Sequence, residues 1–288
     1  MAKTTKYGII DLQKQFPNDE ACTAFIFDTL HSRKCSCGGE YRQIKGRRQF
    51  QCSKCRFQIA PTAGTIFHKS PTPLKLWFHA IFVFSNAKSG INAKQMEREL
   101  NVTYKCAYRI LSLIRQALKQ QGDTPLKGVV ETDAGYFGGR HSAGKNNVKL
   151  SKVIKEKSVV LVAVERGGNI RAQVRPNIKA KTIQNFLKKN VEPKSFLMTD
   201  NARAYDRNAV NYEHFAVDHS KGQYANGSTH INTVETWFSH VKRSMRGTFK
   251  SVSKQHLQSY LDSFVFHYNN RHNDKARFST LLGALLQS

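Results

Sequence analysis

Four of the chain's six cysteines lie within 21 residues, as Cys35-Ser36-Cys37 and Cys52-Ser53-Lys54-Cys55, with 14 residues between the pairs. A stretch so short and so rich in Lys and Arg cannot bury much apolar core, so hydrophobic burial alone does not fold it. Four thiolates brought together by two tight turns suit tetrahedral zinc, whose binding energy then becomes folding energy. The second pair has the standard C-x-x-C spacing. The first, C-x-C, is tighter, and His31 is a possible substitute ligand. The alternative, four unrelated buried thiols, is the weaker reading in so polar a segment. Cys22 and Cys106 stand alone in apolar helical contexts and read as core. The N-terminus MAKTTKYGII has no apolar signal region, so a cytoplasmic location, where thiols stay reduced, is expected.

Charge narrows the partners. Lys and Arg number 46 against 20 acidic residues, a formal net charge of +26. A fold with that excess repels itself and calls for a polyanion. Nucleic acid leads, which implies association with the nucleoid, and an anionic membrane surface comes second. The longest apolar stretch, Leu76 to Phe84, contains His79 and is too short to span a bilayer. With 40% hydrophobic residues a buried core is expected.

The chain reads as four segments: a helical lead-in over 1–32, a zinc ribbon over 33–60, a helical region over 61–122 and an α/β region over 123–288. In the lead-in, Phe16-Pro17-Asn18-Asp19 supplies a turn and cap. In the last segment, Gly128 to Asp133 reads as a strand. Ser158 to Glu165 and Asn169 to Val174 form a hairpin around Gly167-Gly168. Thr182 to Lys189 is helical, Ser195 to Asp200 is a buried-type strand, and Phe215 to Val217 is a short fifth. Residues 230–270 return to helix. This order predicts a mixed α/β layer fold.

In the helical region, Ile91 to Leu100 reads as a short helix, and Asn101 takes a left-handed turn. A second helix carries a stripe of Cys106, Ile110, Ile114 and Ala117. Tyr104, Lys105, Tyr108 and Arg109 fall largely off that stripe, at the end from which a recognition helix reads base edges. A plain helical hairpin fits the same pattern.

Three acids complete the inventory. Asp133 and Asp200 end apolar strands, and Glu235 lies on a helix with an apolar face of Val234, Trp237, Phe238, Val241 and Met245. Three carboxylates at one point repel unless divalent cations lie between them. A pair of Mg²⁺ or Mn²⁺ ions there would serve in-line phosphoryl transfer. Each acid also has a local reading. Asp133 would solubilise a turn before Gly135, with Glu131 a rival on the same strand face. Asp200 would cap a short helix from Ala202 to Tyr205, and Glu235 would form a capping box with Asn232. Lys242, seven residues after Glu235, lies on the same side of the helix. Arg243, Arg246 and Lys250 extend the positive track. In the ribbon, Arg42, Lys45, Arg47 and Arg48 lie among Tyr41 and Phe50, a mixture suited to phosphates and bases.

The stretches CSKCRFQIAPTAGTIFHKSPTPLKLWF, VVETDAGYFGGR, FLMTDNARAY, HINTVETWFSHVKRSMRGTF and FHYNNR together resemble bacterial DDE transposases of the fifteen-ninety-five insertion-sequence family. They run in the family's order from about residue 33 to 271. The resemblance implies an RNase-H-like catalytic domain whose metal-binding acids are Asp133, Asp200 and Glu235. It also implies a role for Lys242 at the transposon-end phosphate and one for Asn232 beside the site. Two positions depart from the pattern. Lys34 occupies the place of the first ribbon cysteine, with Cys35 displaced by one, and Ala134 replaces an acid that often follows the first catalytic Asp.

The expected protein is therefore an α/β DNA transposase: an RNase-H-like mixed sheet preceded by a zinc ribbon and a helix-turn-helix. Its cofactors are Mg²⁺ or Mn²⁺ at the acids and Zn²⁺ at Cys35, Cys37, Cys52 and Cys55. Its DNA contacts include Arg47, Arg48, Lys105, Arg109, Arg243 and Arg246. It would bind terminal inverted repeats, cleave the DNA and join the 3′ ends to target DNA, as a homodimer or higher oligomer on DNA. A nuclease or resolvase that only hydrolyses, and a zinc-ribbon regulator that only binds, are the rival readings.

Overall fold

The structure is a computed structural model that describes residues 7–120, 124–138, 157–200, 211–217 and 230–287. The chain divides into two compact units, Met1–Leu118 with Asn270–Ser288, and Lys119–Asn269.

In the first unit, helices α1 (Ile9–Gln15) and α2 (Asp19–Leu30) form the lead-in. The anticipated cap is present: Asn18 Oδ1 accepts the Ala21 N–H at 2.9 Å. Strands β1 (Tyr41–Gln43), β2 (Phe50–Cys52) and β3 (Gln58–Ile59) make a small antiparallel sheet. The ribbon borrows its apolar support from the lead-in. Phe27 of α2 stacks on Phe50 with centroids 3.9 Å apart, and Cys35, Tyr41 and Cys52 are buried around them.

Helix α3 (Leu74–Asn86) buries Trp77, Phe78 and Ile81. It begins after Pro73, which has no capping side chain. Asp19 performs that service from α2: its carboxylate accepts the N–H groups of Leu74 and Lys75 at 3.0 and 2.9 Å. Helices α4 (Ala93–Leu100) and α5 (Tyr104–Ala117) follow, capped by Asn92 and Thr103. Asn101 between them has φ 51° and ψ 49°, the left-handed turn anticipated from its side chain.

The second unit is built on a five-stranded mixed sheet. Strands β4 (Val129–Phe137), β5 (Ser158–Glu165) and β6 (Ile170–Arg175) form an antiparallel meander. Helix α6 (Ala180–Asn190) then returns the chain to β7 (Phe196–Asp200), parallel to β4, and β8 (Glu213–Val217) adds in parallel to β7. The spatial order β6-β5-β4-β7-β8 is the expected RNase-H-like mixed sheet. β5 is buried through seven of its eight residues because it is covered on both faces. Leu161 and Ala163 join Ile183, Phe186 and Leu187 of α6 on one face. Val160, Val162 and Val164 join the other face, packed by α7 (Asn232–Ser244) and α8 (Leu257–Asn269).

Helix α8 also closes the outer edge of β6. Asn269 Oδ1 accepts from the Ile170 N–H at 2.8 Å, and its Nδ2 donates to the Ile170 carbonyl at 3.3 Å. Gln258 treats Val174 N–H and Ala172 C=O likewise, at 2.7 and 3.0 Å. Two side-chain amides thus occupy backbone groups that would otherwise template pairing with another strand.

The sequence reading carries the α/β segment from 123 to 288, whereas the second unit ends at Asn269. The last helix, α9 (Asp274–Leu286), belongs to the first unit, where Phe278 packs against Phe78 and Phe82 of α3. The short helix expected from Ala202 to Tyr205 lies outside the described residues.

Candidate active site

Pleating puts Glu131, Asp133, Gly135 and Phe137 on the face of β4 that meets α7. Phe137 enters the α7 core, and a Cβ at Gly135 would collide with the Phe238 ring, so α7 lies close above this strand. On β7, Met198 packs on the same side, which places Asp200, two residues on, there too. The parallel register pairs Glu131 with Met198. Two further residues along each strand bring Asp133 and Asp200 level. Glu235, in the first turn of α7, comes from the helix above.

Asp200 and Glu235 lie near enough for their charges to act on Asp133. Burial pushes its carboxyl up to about 6 from an ordinary 3.8, and the charges of Asp200 and Glu235 push it the same way. The Ala134 N–H, donating to Asp133 Oδ1 at 2.6 Å, and the Lys242 ammonium oppose them. Carboxylate oxygens are the donor type that a hard divalent cation such as Mg²⁺ or Mn²⁺ takes. Among the described residues, however, only the four ribbon cysteines bring their ligand atoms within 4.8 Å of one another, so the three acids are near neighbours and not a closed cation site. Lys242 is steered by aromatic faces: its Nζ lies 5.5 Å from the Phe238 centroid and 5.9 Å from that of Phe137. Asn232 is exposed at the start of the same helix.

Glu131 is not a fourth member of the group. Fully buried, it directs both oxygens at the start of α7 and at Arg166. Oε2 accepts the N–H groups of Thr233 and Val234 at 2.7 and 3.2 Å. Oε1 accepts from Thr233 Oγ1 at 2.9 Å and Arg166 Nε at 2.7 Å, with His230 Nδ1 at 3.4 Å. The cap of α7 is therefore supplied by a strand 102 residues earlier, and not by a box of Asn232 with Glu235. No local motif announces a cap of this kind.

The four ribbon cysteines converge. One ligand atom from each of Cys35, Cys37, Cys52 and Cys55 lies within 4.8 Å of all the others, with Sγ pairs at 3.7 Å (Cys35–Cys55) and 3.4 Å (Cys37–Cys52). Zinc–sulfur bonds of ~2.3 Å in a tetrahedron require sulfurs roughly 3.8 Å apart, so the donor set fits zinc. The displaced Cys35 reaches the cluster because Gly38 turns the first knuckle with φ 75° and Gly39 lets the backbone approach Cys52 Sγ. His31 instead packs against Phe27. Cys22 is fully buried, as expected of a core thiol, and Cys106 is half-buried with its Sγ 3.5 Å from Thr72 Oγ1.

The basic residues divide. Arg47, Lys105, Arg109, Arg243 and Arg246 are exposed, as phosphate contact requires. Arg48 also has partners within the fold. Its guanidinium donates to the Ser70 carbonyl at 3.0 Å, Asp19 Oδ2 at 2.9 Å and the Thr72 carbonyl at 3.1 Å. It ties the ribbon to the start of α3 while its side chain stays 30% exposed. At the N-terminal end of α5, Tyr104 and Tyr108 stack on each other with centroids 6.2 Å apart, both 44% exposed, and Lys94 Nζ lies 5.1 Å from the Tyr104 centroid. No helix among the described residues is long and apolar enough to cross a membrane.

The chain is similar to an uncharacterised protein in transposable element ISH50 of Halobacterium salinarum, with 29% identity over 244 residues, 78% of this chain and 79% of that protein. An uncharacterised transposase-like protein of Haemophilus influenzae is 31% identical over 96 residues, 33% of this chain and 76% of that protein. A solved chain from a pre-cleavage Mos1 transpososome aligns over 73% of this chain and 76% of that one, at 10% identity and a TM-score of 0.29, too distant to bear on the site. Residues 125–269, about half of the chain and nearly all of the second unit, match the ISXO2-like transposase domain, and the chain belongs to that family of insertion-sequence transposases.

Proposed function

We propose that this transposase binds the inverted repeats at its element's ends, cleaves the DNA there and joins the freed 3′ ends to target DNA. The observation that supports the reading is that the charges of Asp200 and Glu235 act on the buried Asp133 carboxyl, on the face of the sheet that meets α7. In this reading the three carboxylates hold two divalent ions. When bound, such ions activate the attacking hydroxyl and offset charge on the leaving oxygen of an in-line displacement. The chain's own part is positioning. The strands fix two carboxylates and the helix the third, so little rearrangement is needed when a phosphodiester arrives. Lys242, held over Phe137 and Phe238, faces the same group and engages a phosphate of the end DNA. Arg243 and Arg246 continue that contact along α7.

End recognition falls to the first unit in this proposal. The N-terminal end of α5, with Lys105, Arg109 and the Tyr104–Tyr108 pair, enters a groove, while Arg47 on the zinc-held ribbon meets the backbone. Cutting and joining two ends requires two sites, so a homodimer or higher oligomer on DNA is part of the proposal.

Strand-transfer assays with pre-cut ends test the reading. With Mg²⁺ or Mn²⁺ and a supercoiled target, joined products are expected. Hydrolysis without joining would identify a nuclease or resolvase, and binding without either would identify a regulator.

A further inference from the structure

The strand that carries Asp133 also carries the group that fixes Glu235. We infer that Glu131 is a positioning residue for the acidic site: it binds no metal but sets the place of the third carboxylate by clamping the first turn of α7 to β4. The inference rests on the proposed reading of the three acids.

Four observations support it. Glu131 is fully buried, so its oxygens need polar partners from the protein itself. Those partners come from the start of α7, from Arg166 and, at 3.4 Å, from His230 Nδ1. Two N–H groups and a hydroxyl of Thr233 and Val234 point at it, and Arg166 Nε meets it at 2.7 Å. Arg166 is itself fastened, with Nη2 donating to the His230 carbonyl at 2.8 Å just ahead of the helix. Finally, Glu235 directly follows Val234, so displacement of the clamped turn displaces the third acid. Asp133, two residues along the same face of β4, keeps its place because the β4–β5 ladder holds it against Val162. Loss of the clamp therefore moves one acid relative to the other two.

The test is Mn²⁺ binding to the full chain, followed by electron paramagnetic resonance of the free ion, beside melting curves for every protein. Asp133→Asn, Glu131→Gln and Thr233→Val are compared with the unaltered chain. Thr233→Val keeps the backbone donors and the side-chain shape, so it tests the clamp even where Glu131→Gln melts too low to use. Both clamp variants, still folded, are expected to bind Mn²⁺ more weakly, Glu131→Gln by about tenfold or more, as for other residues that orient ligands. A residue with a merely structural role would lower the melting temperature and leave the affinity of the folded protein unchanged. Weak binding by Asp133→Asn with normal binding by both clamp variants would overturn the inference. Normal binding by Asp133→Asn would overturn the reading of the three acids instead.

Discussion

Asp133 and Asp200 stand level on neighbouring parallel strands, each two residues past the last pair of the β4–β7 ladder. Their mutual repulsion, added to burial, keeps a proton on Asp133 up to about pH 6. The sign of the consequence follows from linkage. The unfolded carboxyl titrates near 3.8, so between 3.8 and 6 the folded chain holds the extra proton and loses stability as pH rises. Above 6 the whole cost is present, and a divalent cation relieves it by replacing the proton.

Melting with and without Mn²⁺ checks this. The cation is expected to raise the melting temperature more at pH 8 than at pH 5, where it competes with a proton. An equal rise at both values would mean that the ion binds away from Asp133.

Substitution of either strand acid should separate binding from chemistry. Asp133→Asn or Asp200→Asn is expected to reduce cleavage beyond the roughly 10–100-fold typical of a supporting residue. Retention of end DNA in a mobility-shift assay should be unaffected, because the proposed base and groove contacts lie in the first unit. Full cleavage by either variant would remove that residue from the site.

The ribbon yields a compositional prediction. Purified chain is expected to carry one zinc, measured by elemental analysis. Cys37→Ser should lose it, while Cys106→Ser, which alters a half-buried thiol outside the cluster, should keep it. A strong chelator should melt the ribbon, because the stack of Phe27 on Phe50 is too small a core to hold it alone.

What the sequence reveals about this site and what it hides have different physical origins. Strand periodicity and turn residues locate β4 to β8 and α7, and the two acids are visible because they interrupt apolar runs. Asp200 does end its strand, but β4 continues through Gly135 to Phe137, so Asp133 lies mid-strand and not before a turn. The apolar face of α7 is legible from its spacing, and Val234, Trp237, Phe238 and Val241 are all buried. Glu131 is different. Its partners lie 35 and 102 residues away, so a helix cap looks in sequence like a rival catalytic acid. Arg48 has internal partners that the sequence also hides. Composition marks it as a phosphate ligand, and the structure adds that Asp19 and two carbonyls hold its partly exposed guanidinium. The boundary at Asn269 is hidden for a related reason. Helix α9 carries the same apolar spacing whichever unit it packs against, and only the aromatic contacts of Phe278 decide.

Lys242 gives a prediction in which salt is the variable. With its ammonium over two rings and beside Asp133, Lys242→Ala should weaken assembly on end DNA and reduce the slope of log affinity against log salt by about one. An unchanged slope would show that Lys242 serves the helix face and not a phosphate.

Asp262 offers a prediction independent of DNA. It lies on α8, where burial pushes its carboxyl up to about 6, with a bond from Gln258 Nε2 at 2.8 Å pulling it down. Its Oδ2 is buried with no hydrogen-bond partner among the described residues. As with Asp133, stability is lost as pH rises from 3.8 to 6, and the full cost stands at neutral pH. At about 1.4 kcal/mol for each pH unit, that cost is on the order of 2–3 kcal/mol. Asp262→Asn keeps an oxygen for Gln258 and removes the charge, although its amide nitrogen inherits a site without an acceptor, at about 1–2 kcal/mol. The variant is therefore expected to be more stable than the parent by about 1 kcal/mol at pH 8 and less stable at pH 4, where the parent carboxyl is already neutral. Denaturant unfolding at the two values measures the crossing. Equal destabilisation at both would show that the carboxylate has a compensating partner and that burial does not govern its titration.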